Sequence, residues 1–178
     1  MKILNRDAGI GGNRKLWGNE HEITAIEYDH ATADVYKSYF PNDILIVADA
    51  HAYLLENYMN FDFIWASPPC PSHSDIRRCG VHAGQYDALY PDMALYQEII
   101  LLKNFAPLMT KFCVENVKPY YSPLIIPDAI IYRHLYWSNF EIPSFEIEKM
   151  QIHTDVKGSD IVHGFDVRKS NIKNKIKA

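Results

Sequence analysis

Two side chains are candidates for covalent chemistry. Cys70 lies in Ser67-Pro68-Pro69-Cys70-Pro71, directly after the apolar run 61–66. A thiolate held there by rigid prolines is a nucleophile at the carboxyl end of a strand, where open α/β sheets bind ligands. The competing reading is a buried structural cysteine in a proline-rich turn. Glu115 begins Glu115-Asn116-Val117 at the end of the run 111–115, so its carboxyl group can face the same crevice. Desolvated and partly protonated, it can donate to a ring nitrogen. Otherwise it is a surface carboxylate at a strand-to-loop junction. Cys79 and Cys113 read as structural, one in a loop and the other inside an apolar strand.

A third feature is the turn Ala8-Gly9-Ile10-Gly11-Gly12, after the short apolar start Ile3-Leu4. A glycine-rich loop after a first strand lets backbone approach a ligand, and a following helix N-terminus favours negative charge. Glu27 ends the next strand, about 15 residues beyond Gly12, where nucleotide-binding folds place a ribose-holding acid. Asp49 ends the third strand and could accept from an adenine amino group. A plain structural turn is the alternative. Just before the turn, Arg6-Asp7 puts charge at the end of a buried strand, which is costly unless paired or exposed.

The elements that must position these residues alternate. Strands are expected at 22–27, 44–48, 61–66, 111–115 and 135–138, with the continuous run 44–48 read as buried on both faces. Helices are expected at 30–39, 50–58 and 91–105, and a further one could open at 13–17. The helix at 91–105 has Pro91 at its start and Met93, Tyr96, Ile100 and Leu101 at helical spacing. Residues 72–90 are polar, contain Gly80 and Gly84, and read as a long mobile loop. This alternation predicts an α/β fold with a mostly parallel sheet.

Composition narrows the function classes. The chain has 178 residues, 48% apolar and 22% charged, with a formal net charge of −4, which suits one folded domain. No apolar run approaches the ~20 residues needed to cross a bilayer, and the first residues lack a secretory signal pattern. Three cysteines with no C-x-x-C pair argue against a disulfide framework or a structural zinc site, and suit a reducing cytoplasm. Residues 168–178 hold five basic side chains and no acidic one, leaving 13 basic against 22 acidic in 1–167. An acidic body does not advertise nucleic-acid binding, so any such role must rest on a local site.

In their order along the chain, Ala8-Gly9-Ile10-Gly11-Gly12, Ile26-Glu27-Tyr28-Asp29, Ala48-Asp49-Ala50, Pro68-Pro69-Cys70-Pro71-Ser72-His73-Ser74 and Glu115-Asn116-Val117 resemble the motifs of the carbon-5 cytosine-specific DNA methyltransferases, especially short phage and prophage members. Tyr132-Arg133-His134-Leu135-Tyr136-Trp137-Ser138-Asn139-Phe140 looks like the family's later arginine-bearing motif. The resemblance implies a Rossmann-like methyltransferase fold with helices on both faces of the sheet. It implies a bacterial or phage-infected cytoplasm, double-stranded DNA as partner, and no metal. It implies S-adenosyl-L-methionine as methyl donor, leaving S-adenosyl-L-homocysteine. Cys70 would attack carbon 6 of a flipped cytosine and Glu115 would contact ring nitrogen 3 and the amino group. Arg133 would contact the base or Glu115. Gly9, Ile10, Gly11, Gly12, Glu27, Tyr28, Asp49, Ala50 and Pro68 would line the cofactor.

The chain also departs from that pattern. Arg6-Asp7 stands where the family usually carries an apolar or aromatic residue. His134 follows Arg133 where many members have two arginines spaced by one residue. Only 38 residues follow Phe140. The expectation is a catalytic domain over 1–140 and a short segment over 141–178, a remnant or start of a recognition region, with a second polypeptide as a possible source of missing motifs. The alternatives are an inactive or incomplete protein that keeps the fold and only binds, methylation of cytosine in transfer RNA, and methylation of an exocyclic amino group.

Overall fold

The computed structural model describes residues 1–143. The basic run 168–178 and nearly all of the expected segment 141–178 lie outside the described residues.

The strands are β1 (Lys2–Arg6), β2 (Glu22–Glu27), β3 (Ile44–Val47), β4 (Phe63–Ala66), β5 (Lys111–Val117), β6 (Ala129–Ile131) and β7 (His134–Ser138). They form one sheet in the order β3-β2-β1-β4-β5-β7-β6. The first five pair in parallel, while β7 runs antiparallel to β5 and to β6. The helices are α1 (His30–Tyr39), α2 (Ala50–Asn57), α3 (Asp75–His82) and α4 (Ala94–Phe105). The chain winds outward from β1 through β2 to β3, then returns to the other side of β1 for β4 and β5. The order therefore reverses between β1 and β4, and beyond the carboxyl ends of those two strands lies the place where open α/β sheets form their ligand crevice.

Local chemistry starts the helices. Asp29 caps α1 by accepting from Thr32 N at 2.9 Å, and Asp49 caps α2 by accepting from Ala52 N at 3.0 Å. The main core lies on one face, where Leu54 of α2 and Leu95, Ile99 and Leu102 of α4 pack on Leu4, Ile26, Ile64, Phe112 and Val114. Full burial of each aliphatic side chain contributes about 1.5–3 kcal/mol. On the other face, Tyr36 of α1 packs with Ala8 and Ala25. Beyond it, Trp17 meets Phe63 and Trp65 edge-on, and Phe140 lies beside Phe63. The Rossmann-like fold with helices on both faces is thus present.

Four local expectations need correction. Residues 72–90 are not one long loop, because Ser74 caps α3 by accepting from Arg77 N. The expected strand 44–48 is not buried on both faces: β3 is an edge strand, with Ile44 48% and Val47 39% exposed. The helix read over 91–105 begins at Ala94. Asp92 accepts from Ala94 N ahead of it, and the buried face is Leu95, Tyr96, Ile99 and Leu102, leaving Met93 and Ile100 half-exposed. Residues 13–17 give only a short 3-10 turn at Arg14–Leu16. Strand β6 has no counterpart among the expected elements.

Candidate active site

On one side of the crevice, the backbone from Asp7 to Gly12 turns sharply. Ala8 N donates to Ile26 O, and Gly11 N to Ala8 O, tying the turn to β2. Gly9 and Gly11 have φ of 55° and 91°, the left-handed region that glycine enters without steric cost. The two differ in surroundings. A Cβ on Gly11 would collide with the Phe40 ring, whereas Gly9 and Gly12 face open space. Glu27 locks the turn from the end of β2, its two carboxylate oxygens accepting from Gly9 N and Asp29 N, each at 2.9 Å. Asp49 is exposed at the N-terminus of α2, and the hydrogen bond from Ala52 N holds its carboxyl below the ordinary value. Tyr28 is 77% exposed and lines, with Asp29, His30, Ala31, Val47 and Ala48, a cleft of about 510 Å³. Ile10 and Ala50 flank the same strand ends, Ile10 half-buried and Ala50 buried.

Arg6 and Asp7 are not an exposed pair. Arg6 is 2% exposed and ion-pairs with Asp7 Oδ2 at 2.7 Å and with Glu98 Oε1 of α4 at 2.6 Å. Glu98 is fully buried and also meets His51 Nδ1 at 2.5 Å. The charge foreseen at this strand end is therefore paired, and the pairing offsets its burial only in part. Burial still dominates at Asp7. It raises the carboxyl from 3.8 to about 7, against the opposing pull of Arg6 and with help from the charges of Glu98, Glu27 and Asp49.

Across the crevice, β4 runs into Ser67-Pro68-Pro69-Cys70. Asn116 of β5, itself buried, donates from Nδ2 to Pro68 O at 2.9 Å, so the two motifs are joined directly. After Cys70 the chain turns, with His73 N and Ser74 N both donating to Cys70 O. His73 is buried; its ring contacts Tyr121 OH at 2.5 Å and its carbonyl accepts from Tyr120 N. The cysteine loop is thus fastened to the segment after β5.

Glu115 lies one residue beyond the last β4–β5 register pair, Ala66 with Val114. The Ser67 hydroxyl, which accepts from Trp65 Nε1 at 2.7 Å, lies near enough to favour the ionised form of the Glu115 carboxyl. His134 Nε2 lies 3.5 Å from Glu115 Oε1. Burial raises the Glu115 carboxyl, and His134 and Ser67 partly offset the rise. Burial also pushes the Cys70 thiol up, and the charge of Glu115 adds to it. The charge of Glu115 is thus felt at Cys70, and burial shifts both groups toward their neutral forms. Arg133 points elsewhere in this structure: its guanidinium lies over the Tyr132 ring at 5.4 Å, and its carbonyl accepts from Lys118 N. Cys113 is buried in β5, its thiol pushed up to about 12 by burial, and Cys79 is exposed on α3.

Sequence reasoning missed Asn116 as a clasp, Ser67 and His134 as partners of Glu115, and His73 as the anchor of the cysteine loop. The signals were their places inside or beside the motifs. Among the described residues no cluster of His, Cys, Asp or Glu could hold a metal ion, and no helix is long and apolar enough to cross a membrane.

The profile of the C-5 cytosine-specific DNA methylases matches residues 1–123. The chain belongs to that family. No curated protein matches it. Among solved structures, the hypothetical protein TTHA0928 of Thermus thermophilus is 16% identical, with 77% of this chain and 73% of that one covered and a TM-score of 0.52. Escherichia coli yhhF, described as a candidate methyltransferase, is 16% identical over the same shares at a TM-score of 0.49. A candidate DNA modification methyltransferase encoded within an E. coli prophage is 18% identical over 68% of this chain and 33% of that one, at 0.41. At such identities the likeness to TTHA0928 concerns the fold alone.

Proposed function

We propose that this methylase-family chain transfers a methyl group from S-adenosyl-L-methionine to carbon 5 of cytosine in double-stranded DNA through a covalent Cys70 adduct. The supporting observation is that Cys70, four residues past the end of β4, and Glu115, near the end of the adjacent parallel strand β5, are 45 positions apart in sequence, yet the Glu115 charge is felt at Cys70. A cytosine flipped from the duplex would enter between them. Cys70 loses its proton to solvent water, and its sulfur bonds to carbon 6 as the carbon 5–carbon 6 double bond opens. The protonated Glu115 carboxyl donates to ring nitrogen 3, which accepts the charge displaced by the attack. Ser67 and His134 hold that carboxyl in place. Arg133, on the β6–β7 turn, is assigned to the base or to Glu115 once substrate is bound. Once carbon 5 carries the methyl group, its proton passes to solvent water, the carbon 5–carbon 6 double bond re-forms, and Cys70 leaves as thiolate.

The residues present fit the methyl donor. Gly9 and Gly12 leave open the space a Cβ would fill. Each Glu27 oxygen has one backbone donor and keeps a lone pair for a ribose hydroxyl. Gly9, Ile10, Gly11 and Gly12 would hold the methionine side, Glu27 the ribose, and Tyr28, Asp49, Ala50 and Pro68 the remainder. The bound donor supplies an electrophilic methyl group on a sulfonium, and S-adenosyl-L-homocysteine is the product. Arg77 and Arg78 on α3, close after the cysteine loop, suit phosphate contacts.

The test is covalent trapping. A duplex carrying 5-fluorocytosine, with S-adenosyl-L-methionine, should give a denaturant-resistant adduct with wild type and none with Cys70→Ala. Binding of S-adenosyl-L-homocysteine is followed by calorimetry alongside. Binding without an adduct would overturn the catalytic reading.

A further inference from the structure

The buried charges behind the glycine turn do not balance. Among the described residues, Arg6 is the one guanidinium paired with the two carboxylates Asp7 and Glu98. Arg6 Nε and Glu98 Oε2 are both buried with no hydrogen-bond partner among the described residues. The other charged groups facing Asp7 are Glu27 from β2 and Asp49 from the start of α2, and His51 reaches the cluster through Glu98. Asp7 itself retains 21% of its side-chain exposure, at the strand end from which the glycine turn departs. An aromatic or aliphatic residue there would offer only a surface to pack on. A carboxyl group offers a charge, within reach of the charges of Glu27 and Asp49.

We propose that Asp7 selects the cofactor by charge: its carboxylate favours a cationic sulfonium over a neutral thioether, so methyl donor binds with loss of a proton from Asp7 and spent product does not. This rests on the proposed use of S-adenosyl-L-methionine. The two ligands share the ammonium, carboxylate, ribose and adenine and differ in the methyl group and the charge it puts on sulfur; proton release on binding reports the charge rather than the methyl contact. With nothing bound, the neighbouring carboxylates and burial favour the protonated acid, whose ordinary value of 3.8 is raised to about 7. A cation nearby reverses that preference. If only the ionised form takes the donor tightly, its affinity should rise about tenfold from pH 6 to pH 8, by proton linkage. Product affinity should hardly change. The arrangement would help the product leave and the donor enter at neutral pH.

The experiment is isothermal titration calorimetry with S-adenosyl-L-methionine and S-adenosyl-L-homocysteine, from pH 6 to pH 8, in buffers of different ionisation enthalpy. The wild type should release a proton on binding the donor near pH 6.5 and none on binding the product. Asp7→Asn should abolish both the proton release and the pH dependence, and narrow the affinity ratio of donor to product. Asparagine keeps the shape and tolerates the φ of 55° at this position. The wild-type buffer comparison needs no variant, so a poorly folding substitution leaves the test intact. Equal proton release with both ligands, or none with either, would overturn charge selection while leaving the methyl-donor reading in place. Failure of both ligands to bind would overturn the two together.

Discussion

Removing the Asp7 carboxylate should stabilise the protein above neutral pH. In the folded chain this acid is raised from 3.8 to about 7 because burial outweighs the attraction of Arg6. The folded state therefore holds the proton more tightly than the unfolded state. Between about pH 4 and pH 7 the folded state binds more protons, so the Asp7 contribution makes stability fall as pH rises, then level off. At 1.36 kcal/mol for each tenfold change, the gap corresponds to roughly 4 kcal/mol, an upper figure before the site relaxes. Asp7→Asn keeps the neutral shape at every pH. It should match wild type near pH 4 and exceed it by about 2–4 kcal/mol at pH 8. Urea denaturation at pH 4, 5, 6, 7 and 8 measures this directly, with an unchanged m-value confirming that stability has moved. Other groups are shifted as well, burial raising Glu98 and Glu115 and lowering His73. The difference between the two proteins isolates Asp7. A variant less stable than wild type at pH 8, or a difference independent of pH, would show that the Arg6 pairing outweighs burial and would refute the reasoning.

Asn116→Ala removes the donor to the buried Pro68 carbonyl and should cost about 1–3 kcal/mol in urea, with a loss of 5-fluorocytosine trapping exceeding the loss of folded protein. Asp43→Ala strips a buried Arg14 of its two-point partner and leaves Tyr36 OH without its acceptor; a cost of about 3–5 kcal/mol is expected by thermal or urea unfolding. Trapping needs an ionised Cys70 and a protonated Glu115, both raised by burial, so its rate should be bell-shaped in pH. Glu115→Gln should lose the descending alkaline limb and run about 10²–10⁴-fold slower in stopped-time trapping.

How much of this is legible in the sequence depends on the range of the interaction. Strand β2 and helix α1 fall on their expected residues because β-branched content in 22–27 and the Asp29 cap are local signals. Helix α3 escapes the sequence reading because Ile76 and Val81 give little apolar period, although Ser74-Asp75 is a readable start. Strand β3 reads as a central strand because an apolar run reports hydrophobicity and says nothing of which neighbours cover it. Strand β6 is three residues long, too short for any period, and among the described residues it pairs with β7 alone. At the site, Cys70 and Glu115 are visible as residue types at strand ends, where parallel sheets bring distant segments together. The partners that tune them are not. Arg6 with Glu98, and His134 with Glu115, are pairings across sequence that only the folded topology creates.

Helix α4 holds two sides of the crevice without touching either reacting atom. Glu98 reaches Arg6 and His51 behind the glycine turn. Tyr96, two residues earlier, turns its hydroxyl toward Tyr121 OH and accepts from Leu124 N, and Tyr121 holds His73 of the cysteine loop. Two adjacent helical positions differ by about 100° in direction, so residues two apart address different regions of the sheet. If α4 is a rigid frame, each side chain should report on its own side. Glu98→Gln should change donor affinity by calorimetry and leave trapping at saturating donor near wild type. Tyr96→Phe should slow trapping and leave product affinity unchanged. In the double variant the two free-energy effects should add within about 0.5 kcal/mol, as they do for separated sites. A larger coupling would mean that the donor cleft and the cysteine loop communicate through this helix, and the frame would have to be replaced by a conformational link.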